Sequence, residues 1–259
     1  MMIPKTRANS FLKEFKIKDV RGVEIEDLIA LKGIFFEEAD MSSCQANILS
    51  TQNFSKISIN SGLVNYSQRR FALAHELGHY IMHRGEGNKF FSDNEDDFVK
   101  YHQKGDQEVE ANEFAAELLM PRSQFRTFTS DADFNTDLII ETANYFESSI
   151  TSTSIKYADV GHEPIAMIYT RNGRVKWKRI NDSFPFSFIR NGQTVPVYSS
   201  VSDYYKNGSK SNSPVIVDAF NWFYEDFEID KYPHAKLLEQ IFYIDSLNSA
   251  IVYLSIKRL

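Results

Sequence analysis

The sequence predicts an α+β protein: helices packed on a small sheet come first, then a helical pair, then a C-terminal region made mostly of strands. Three observations support this class. Apolar residues recur at helical spacing from Ser67 to the stop at Gly85, and "KISIN" (56–60) alternates polar and apolar residues as a half-buried strand does. The segment "IAMIYTRNGRVKWKRI" (165–180) has the Asn-Gly turn of a β-hairpin.

The N-terminal third has the pattern helix, strands, helix. "ANSFLKEF" (8–15) and "EIEDLIALKG" (24–33) are typical of helices, and Gly33 is a suitable helix end. Three strand candidates bounded by turn residues follow: "IFFEE" (34–38), "ANILST" (46–51) and "SKISINSG" (55–62).

Further along the chain, residues 85–106 are rich in glycine and acids and are interpreted as a long loop. Helical period returns in "QEVEANEFAAELLMP" (107–121), where Pro121 ends it, and a helical pair follows at 136–158. A second hairpin is predicted at 237–256. We expect three parts: a core at 1–130, the helical pair at 131–160, and a strand-rich region at 161–259 with a sensing or partner-binding role.

Composition limits the chemistry. The 259 residues are 42% hydrophobic, enough for a substantial core, and the net charge of −6 argues against a nucleic-acid binder. The single Cys44 excludes an internal disulfide and a thiolate-built zinc site, which leaves imidazole and carboxylate as metal ligands. No stretch is apolar enough to span a membrane and none is typical of a signal peptide, so we expect a cytoplasmic protein.

The five residues His75-Glu76-Leu77-Gly78-His79 carry the clearest chemical signal. Both imidazoles lie one turn apart on the same helical face, so both can reach one ion, with Glu76 beside it. This pattern is typical of zinc hydrolases, and its structural alternative is a pair of half-buried helix histidines. We predict a Zn²⁺ site in which Mn²⁺ can substitute.

His83 extends the histidine series but does not fit as a third ligand. It follows His75 by eight residues, about 12 Å along a helix axis, too far for one ion with bonds of about 2 Å. We interpret His83 as a packing residue or as a hydrogen-bond partner of a ligand.

Glu108 is the predicted third ligand. It shares a helical stripe with small and apolar residues that should face the interior, where a carboxylate needs a partner; these are Ala111, Asn112, Ala115 and Leu119. The other glutamates of this helix form a stripe expected to face solvent: Glu110, Glu113 and Glu117. Asn112 is placed to hydrogen-bond a ligand. The alternative is that Glu108 pairs with Arg69 or Arg70.

With both helices considered, the chain resembles the ImmA/IrrE family of metallopeptidases. The matching segments are "RRFALAHELGHYIMH" (69–83) and "EVEANEFAAELLMP" (108–121), joined by a variable loop. The resemblance implies a zincin-like fold with His75, His79 and Glu108 as metal ligands and Glu76 as the catalytic carboxylate. Characterised members cleave a helix-turn-helix repressor. Many relatives carry their own DNA-binding domain ahead of the peptidase. The helix-plus-strand start leaves no room for a DNA-binding domain here, so the repressor is expected to be a separate protein.

Peptide hydrolysis would also need a donor for the developing oxyanion. Tyr101 and His102 are candidates, against the alternative that both are exposed loop residues. Two other functions stay open: a protease toxin held in check by a cognate regulator, and a zinc-containing binding or sensing protein without catalysis.

The helical pair has the cadence of a DNA-reading helix-turn-helix, but its charge argues against that function. Residues 131–159 contain six acids against Lys156 alone, so we predict a packing module or a protein-docking surface and no direct DNA binding. The one dense basic stretch is interpreted as a solvated strand face, with contact to an acidic partner or DNA as the alternative; it contains Arg171, Arg174, Lys176, Lys178 and Arg179.

Overall fold

The polypeptide divides into two units, one formed by residues 1–124 with 143–149 and the other by residues 125–142 with 150–259. The expected division into three parts remains a prediction about domains. The structure, a computed structural model, describes residues 3–42, 44–51, 53–84, 89–92 (backbone only) and 105–256.

The first unit contains a four-stranded sheet in the order β1-β3-β2-β4. Strands β1 and β3 are parallel, and β2 is antiparallel to both β3 and β4. The first three strands confirm the sequence prediction, whereas β4 lies within the segment interpreted as a loop, and that interpretation is wrong for its four residues. The bounds are β1 Phe35–Ala39, β2 Ala46–Ser50, β3 Ser55–Asn60 and β4 Lys89–Ser92.

The described part of the first unit also contains four α-helices, of which α2 and α3 contact the sheet: α1 Pro4–Glu14, α2 Ile25–Leu31, α3 Tyr66–His83 and α4 Asp106–Leu119. Helix α3 packs against β2 and β3 on one side and against α4 on another, and α4 also packs against α1. Ile48, Ile57 and Ile59 point from the strands into the core, because alternate residues of a strand face the same side. Helix α3 is therefore held at the centre of the unit.

The second unit is built on a five-stranded antiparallel sheet in the order β6-β5-β9-β8-β7. Its first hairpin turns at Asn172 and Gly173, both with positive φ (52° and 72°), as a two-residue type I′ turn requires. Both predicted hairpins are confirmed, and β7 was not foreseen. The bounds are β5 Ile165–Arg171, β6 Arg174–Ile180, β7 Val215–Asp218, β8 Lys236–Ile244 and β9 Ser249–Ile256.

The described chain contains five more α-helices: α5 Arg122–Thr129, α6 Thr136–Tyr145, α7 Ile150–Val160, α8 Ser200–Asn207 and α9 Ala219–Phe223. Helices α6 and α7 are the predicted helical pair. Helix α7 packs against β5 and β6, and the Ser154 and Tyr253 hydroxyls are 2.6 Å apart. Lys156, the only basic residue of this segment, is buried, so the pair offers no exposed cation for phosphate.

These helices and sheets place the chain in the predicted α+β class. Among the described residues, none of the helices combines the length and the apolar character needed to cross a membrane.

The basic stretch on β5 and β6 makes several local contacts. Arg179 hydrogen-bonds Asp159, Lys178 Nζ donates to the Ile189 carbonyl oxygen, and Arg174 donates to the Gly192 carbonyl oxygen at 3.0 Å. Such contacts are typical of a partly solvated strand face, and the alternative of a partner contact stays open.

Candidate metal centre

Helix α3 carries two of the three converging side chains. It begins after Asn65, whose side-chain oxygen accepts a hydrogen bond from the Gln68 backbone N–H at 3.0 Å and so caps the helix. His75 and His79 lie one turn apart and are each only 1% exposed. Their Nε2 atoms are 3.0 Å apart, so both rings present the same nitrogen to one point.

Close packing of α3 on α4 brings in the third side chain. Gly78 lies at the contact: a Cβ there would approach the Ala111 carbonyl oxygen at 3.1 Å and the Phe114 ring at 3.2 Å, tighter than most side-chain contacts. A glycine in a helix interior is destabilising by about 0.5–1 kcal/mol relative to alanine. Gly78 therefore permits a helix separation that the next larger residue would widen.

Glu108, in the first turn of α4, completes the group. Its Oε2 lies 3.2 Å from His75 Nε2 and its Oε1 lies 3.2 Å from His79 Nε2. A tetrahedral ion with bonds of about 2.0–2.1 Å needs ligand atoms about 3.3 Å apart. The three measured separations of 3.0, 3.2 and 3.2 Å are close to that geometry, and the group can hold a metal ion.

The electrostatics of the group suit a cation. Burial lowers the pKa of His79 to about 4, although a hydrogen bond to Glu108 opposes this shift. Burial by itself would raise the pKa of Glu108, but hydrogen bonds from His75 and His79 outweigh it and hold that pKa well below its usual range. At neutral pH the site therefore offers a neutral imidazole at position 79 and a carboxylate, the protonation states that metal binding needs.

Each imidazole is also hydrogen-bonded at its other nitrogen. His75 Nδ1 lies 3.0 Å from Asn112 Oδ1, and His79 Nδ1 lies 3.2 Å from His83 Nδ1. His83 Nε2 in turn lies 2.8 Å from Glu110 Oε2. The structure thus places Asn112 and His83 directly behind the two histidines that face the centre.

Glu76 lies next to His75 on α3 and is fully buried. It is not one of the three side chains that supply the converging donor atoms, and its role as the catalytic carboxylate remains a prediction. Tyr101 and His102, the candidate oxyanion donors, lie outside the described residues, so their role remains a prediction.

One expectation about a neighbouring charge needs correction, and one alternative is not seen. Glu117, expected on a solvated face, is buried and accepts hydrogen bonds from Asn9 Nδ2 and the Arg122 backbone N–H, each at 3.0 Å. The cause is that α4 packs against α1 as well as α3, so two of its faces are covered. The alternative pairing of Glu108 is not seen, since Arg69 contacts Glu26 and Glu38 while Arg70 contacts Glu147.

Comparison with known proteins agrees with this geometry. Residues 46–156, which include both helices of the site, match the Peptidase_M78 family model, described as the IrrE N-terminal-like domain. The chain contains a Peptidase_M78 domain. This confirms the resemblance to the ImmA/IrrE family and supports a metallopeptidase-type enzyme.

The full chain matches no curated protein sequence. Among solved structures it is similar to a "Mycobacterium tuberculosis transcriptional regulator", with 13% identity and a TM-score of 0.63. The similarity covers 98% of this chain and 76% of that chain. At this level of identity the comparison shows a shared fold.

Sequence reasoning missed two features of the site. It did not assign a role to Gly78, although a glycine inside an otherwise regular helix is a signal for close approach of a neighbour. It also assigned Glu110 to the solvent, whereas its carboxylate contacts His83. The spacing of His79 and His83 at i and i+4 could have suggested their contact, but nothing in the pattern of α4 alone pointed to Glu110.

Proposed function

We propose that this Peptidase_M78 chain is a zinc-dependent endopeptidase that cleaves a partner protein, and that the partner is a separately encoded helix-turn-helix repressor whose cleavage derepresses genes. One observation carries the proposal: two imidazoles and a carboxylate converge with separations of 3.0–3.2 Å, and the fully buried Glu76 directly follows His75 on the same helix. A site that only binds a metal has no need of a general base in that place.

The donor set fits zinc, because imidazole and carboxylate are ordinary zinc ligands and three protein ligands are typical of a catalytic site. His75, His79 and Glu108 would hold the ion. When bound, such an ion lowers the pKa of water toward neutrality and polarises the scissile carbonyl group. Manganese is proposed as a substitute, since it also accepts nitrogen and oxygen ligands.

The chain's own residues would then move the proton. Glu76 accepts a proton from the attacking water and donates it to the amine nitrogen of the leaving peptide. Its burial keeps bulk water away from that transfer. His75 and His79 stay in place during this step because Asn112 and His83 hold their outer nitrogens.

The regulatory part of the proposal takes up what the family resemblance implies, namely cleavage of a helix-turn-helix repressor. The structural neighbour is described as a transcriptional regulator, which suits a role in gene regulation. We propose a cytoplasmic location for this activity, because a repressor would be encountered there.

The test compares wild type, Glu76→Gln and Glu113→Gln in cells, with new protein N-termini read by mass spectrometry. Glu113 lies on α4 and is not among the converging side chains, so its variant is the matched control. We expect wild type and Glu113→Gln to produce the same cleavage products, including one from a helix-turn-helix repressor. Glu76→Gln should retain zinc and cleave at least about 100-fold more slowly.

Other outcomes separate the alternatives. Growth arrest with cleavage of many proteins would support a protease toxin, whose activity a cognate regulator would suppress. Cleavage by Glu76→Gln at the wild-type rate would overturn the mechanism. Zinc binding with no cleavage product in any sample would support a binding or sensing protein.

A further inference from the structure

The two histidines of the centre are supported by different chemistry. Behind His75 stands the amide oxygen of Asn112, a neutral acceptor. Behind His79 stands a second imidazole, that of His83, which itself contacts the carboxylate of Glu110. Of the two histidines on α3, His75 therefore contacts an amide, whereas His79 contacts an imidazole that in turn contacts a carboxylate.

Only one placement of the ring protons satisfies every contact of the series when a metal is bound. The Nε2 atom of His79 faces the centre and must present its lone pair, so its Nδ1 carries the hydrogen. That Nδ1–H donates to His83 Nδ1, which must then present a lone pair. The hydrogen of a neutral His83 is thereby placed on Nε2, 2.8 Å from the Glu110 oxygen that accepts it.

Because His83 is buried, the placement of its ring hydrogen matters for stability. His83 is 1% exposed, so solvent does not compensate a ring in the wrong tautomer, and a misplaced hydrogen would set two N–H groups or two lone pairs against each other. Glu110 is partly exposed, with a side-chain exposure of 23%, which lowers the penalty for keeping its charge at the end of the series.

We propose that Glu110 and His83 are positioning residues for His79: Glu110 fixes the tautomer and orientation of His83, and His83 in turn holds the His79 lone pair on the metal. The inference rests on the metal centre of the proposed function, not on peptide hydrolysis. A carboxylate hydrogen-bonded to a ligand histidine raises the basicity of that ligand, and here one imidazole lies between the two. The arrangement predicts tighter metal binding through a residue that never touches the metal.

The test is zinc titration of chelator-treated full-length protein by competition with a chromophoric chelator. Glu110→Gln should bind zinc about tenfold more weakly than wild type, the lower end of the range for partners of this kind. Glu113→Gln, the same change one turn along α4, should stay within about twofold. Thermal unfolding of each metal-free variant checks that the chain is folded.

A double-mutant cycle decides whether the effect passes through His83. In His83→Gln the amide oxygen can still accept from His79, but the link to Glu110 is lost. Adding Glu110→Gln to His83→Gln should therefore change zinc affinity by less than about twofold. The cobalt-loaded wild type and Glu110→Gln should also differ in their d–d absorption bands, because the ligand's electron donation changes.

Three results would overturn the inference. Wild-type affinity in Glu110→Gln would show that the carboxylate plays no part. If Glu110→Gln weakened zinc binding as much in the His83→Gln protein as in wild type, the carboxylate would act through a long-range charge effect and not through the hydrogen bonds of His83. Absence of zinc binding by wild type would remove the proposed metal centre itself, an outcome distinct from the other two. If Glu110→Gln does not fold, His83→Gln replaces it: because the link to Glu110 is lost, this variant should bind zinc about tenfold more weakly than wild type, and His83→Leu, which also removes the acceptor for His79, should lose more.

Discussion

Two glutamates, the half-buried Glu108 of the first unit and the buried Glu239 of the second, make an instructive comparison. Glu108 on α4 faces two imidazole nitrogens at 3.2 Å, and its pKa is lowered. Glu239 on β8 is 1% exposed and accepts hydrogen bonds from the Trp222 indole N–H at 2.9 Å and the Ser200 backbone N–H at 2.7 Å. Burial raises the pKa of Glu239 in spite of these bonds.

The difference lies in what the partners can do. Indole and backbone N–H groups are donors only and never present a lone pair to a metal, so Glu239 serves to join α8 and α9 to the sheet. Imidazole nitrogens can give up the hydrogen and bind a metal together with the carboxylate. A buried carboxylate is therefore no sign of a metal site by itself, and the chemistry of its partners decides.

The largest expected effect separates the two glutamates by metal affinity. Glu108→Gln removes a ligand, so its zinc affinity should fall by at least about 100-fold. This is more than the loss expected when a residue that only hydrogen-bonds a ligand is replaced. Glu239→Gln should bind zinc as wild type does. Equal titration curves for wild type and Glu108→Gln would break the comparison.

The stability of the metal-free protein, in contrast to its zinc affinity, should depend on Glu239. Glu239→Leu leaves the Trp222 and Ser200 N–H groups without their acceptor, and we expect the free energy of unfolding to fall by about 2 kcal/mol. Urea unfolding of the metal-free protein, followed by tryptophan fluorescence, measures it. Glu239→Gln keeps one acceptor oxygen and should lose less. A Glu239→Leu variant as stable as wild type would show that these bonds contribute nothing.

Acid should act on the two units with opposite sign. The pKa of His79 falls to about 4 on folding, so the unfolded chain binds the proton more readily, and metal-free stability drops as pH falls from about 6.5 toward 4. Between pH 7.5 and 5.5 this amounts to about 1 kcal/mol. The raised pKa of Glu239 contributes stability that is present at low pH and lost as pH rises through it.

Urea unfolding at both pH values tests these signs. Glu239→Gln removes the opposing contribution, so its stability should fall more steeply on acidification than that of wild type. Saturating zinc should add stability at both pH values. A metal-free protein that gains stability from pH 7.5 to 5.5 in the Glu239→Gln background would contradict the assignment to His79.

The smallest effect concerns the helix contact that brings Glu108 into place. Gly78→Ala pushes against the Ala111 backbone, so α4 must shift by a few tenths of an ångström. We expect zinc affinity to fall several-fold, which is less than the loss predicted for Glu110→Gln. Overall stability should change little, because alanine's helix preference offsets the strain. Gly173→Ala in the second unit, by contrast, should leave zinc affinity unaltered.

Much of the site could be predicted because local spacing fixes it. His75 and His79 must share a face at i and i+4 on any helix, and the apolar period of α3 left little doubt about the helix. Glu108 followed from a stripe of small residues that also faces α3. These features depend on one helix at a time, which is why the sequence alone suffices for them.

Features that depend on two neighbours were missed. Glu117 faces Asn9 of α1, so a helix covered on two sides carries a buried glutamate where a single-face pattern predicts an exposed one. Strand β4 gains its hydrogen bonds from β2, and its own short segment lies in an acidic, glycine-rich context. Helices α8 and α9 are short, and their stability comes from the sheet more than from their own sequence.

Zinc K-edge X-ray absorption of the reconstituted protein tests the central claim most directly. We predict one zinc per chain, with two imidazole ligands and at least one carboxylate oxygen at about 2.0–2.2 Å, and a spectrum that changes in Glu108→Gln but not in Glu239→Gln. Less than stoichiometric zinc, or a spectrum without imidazole scattering, would contradict the account.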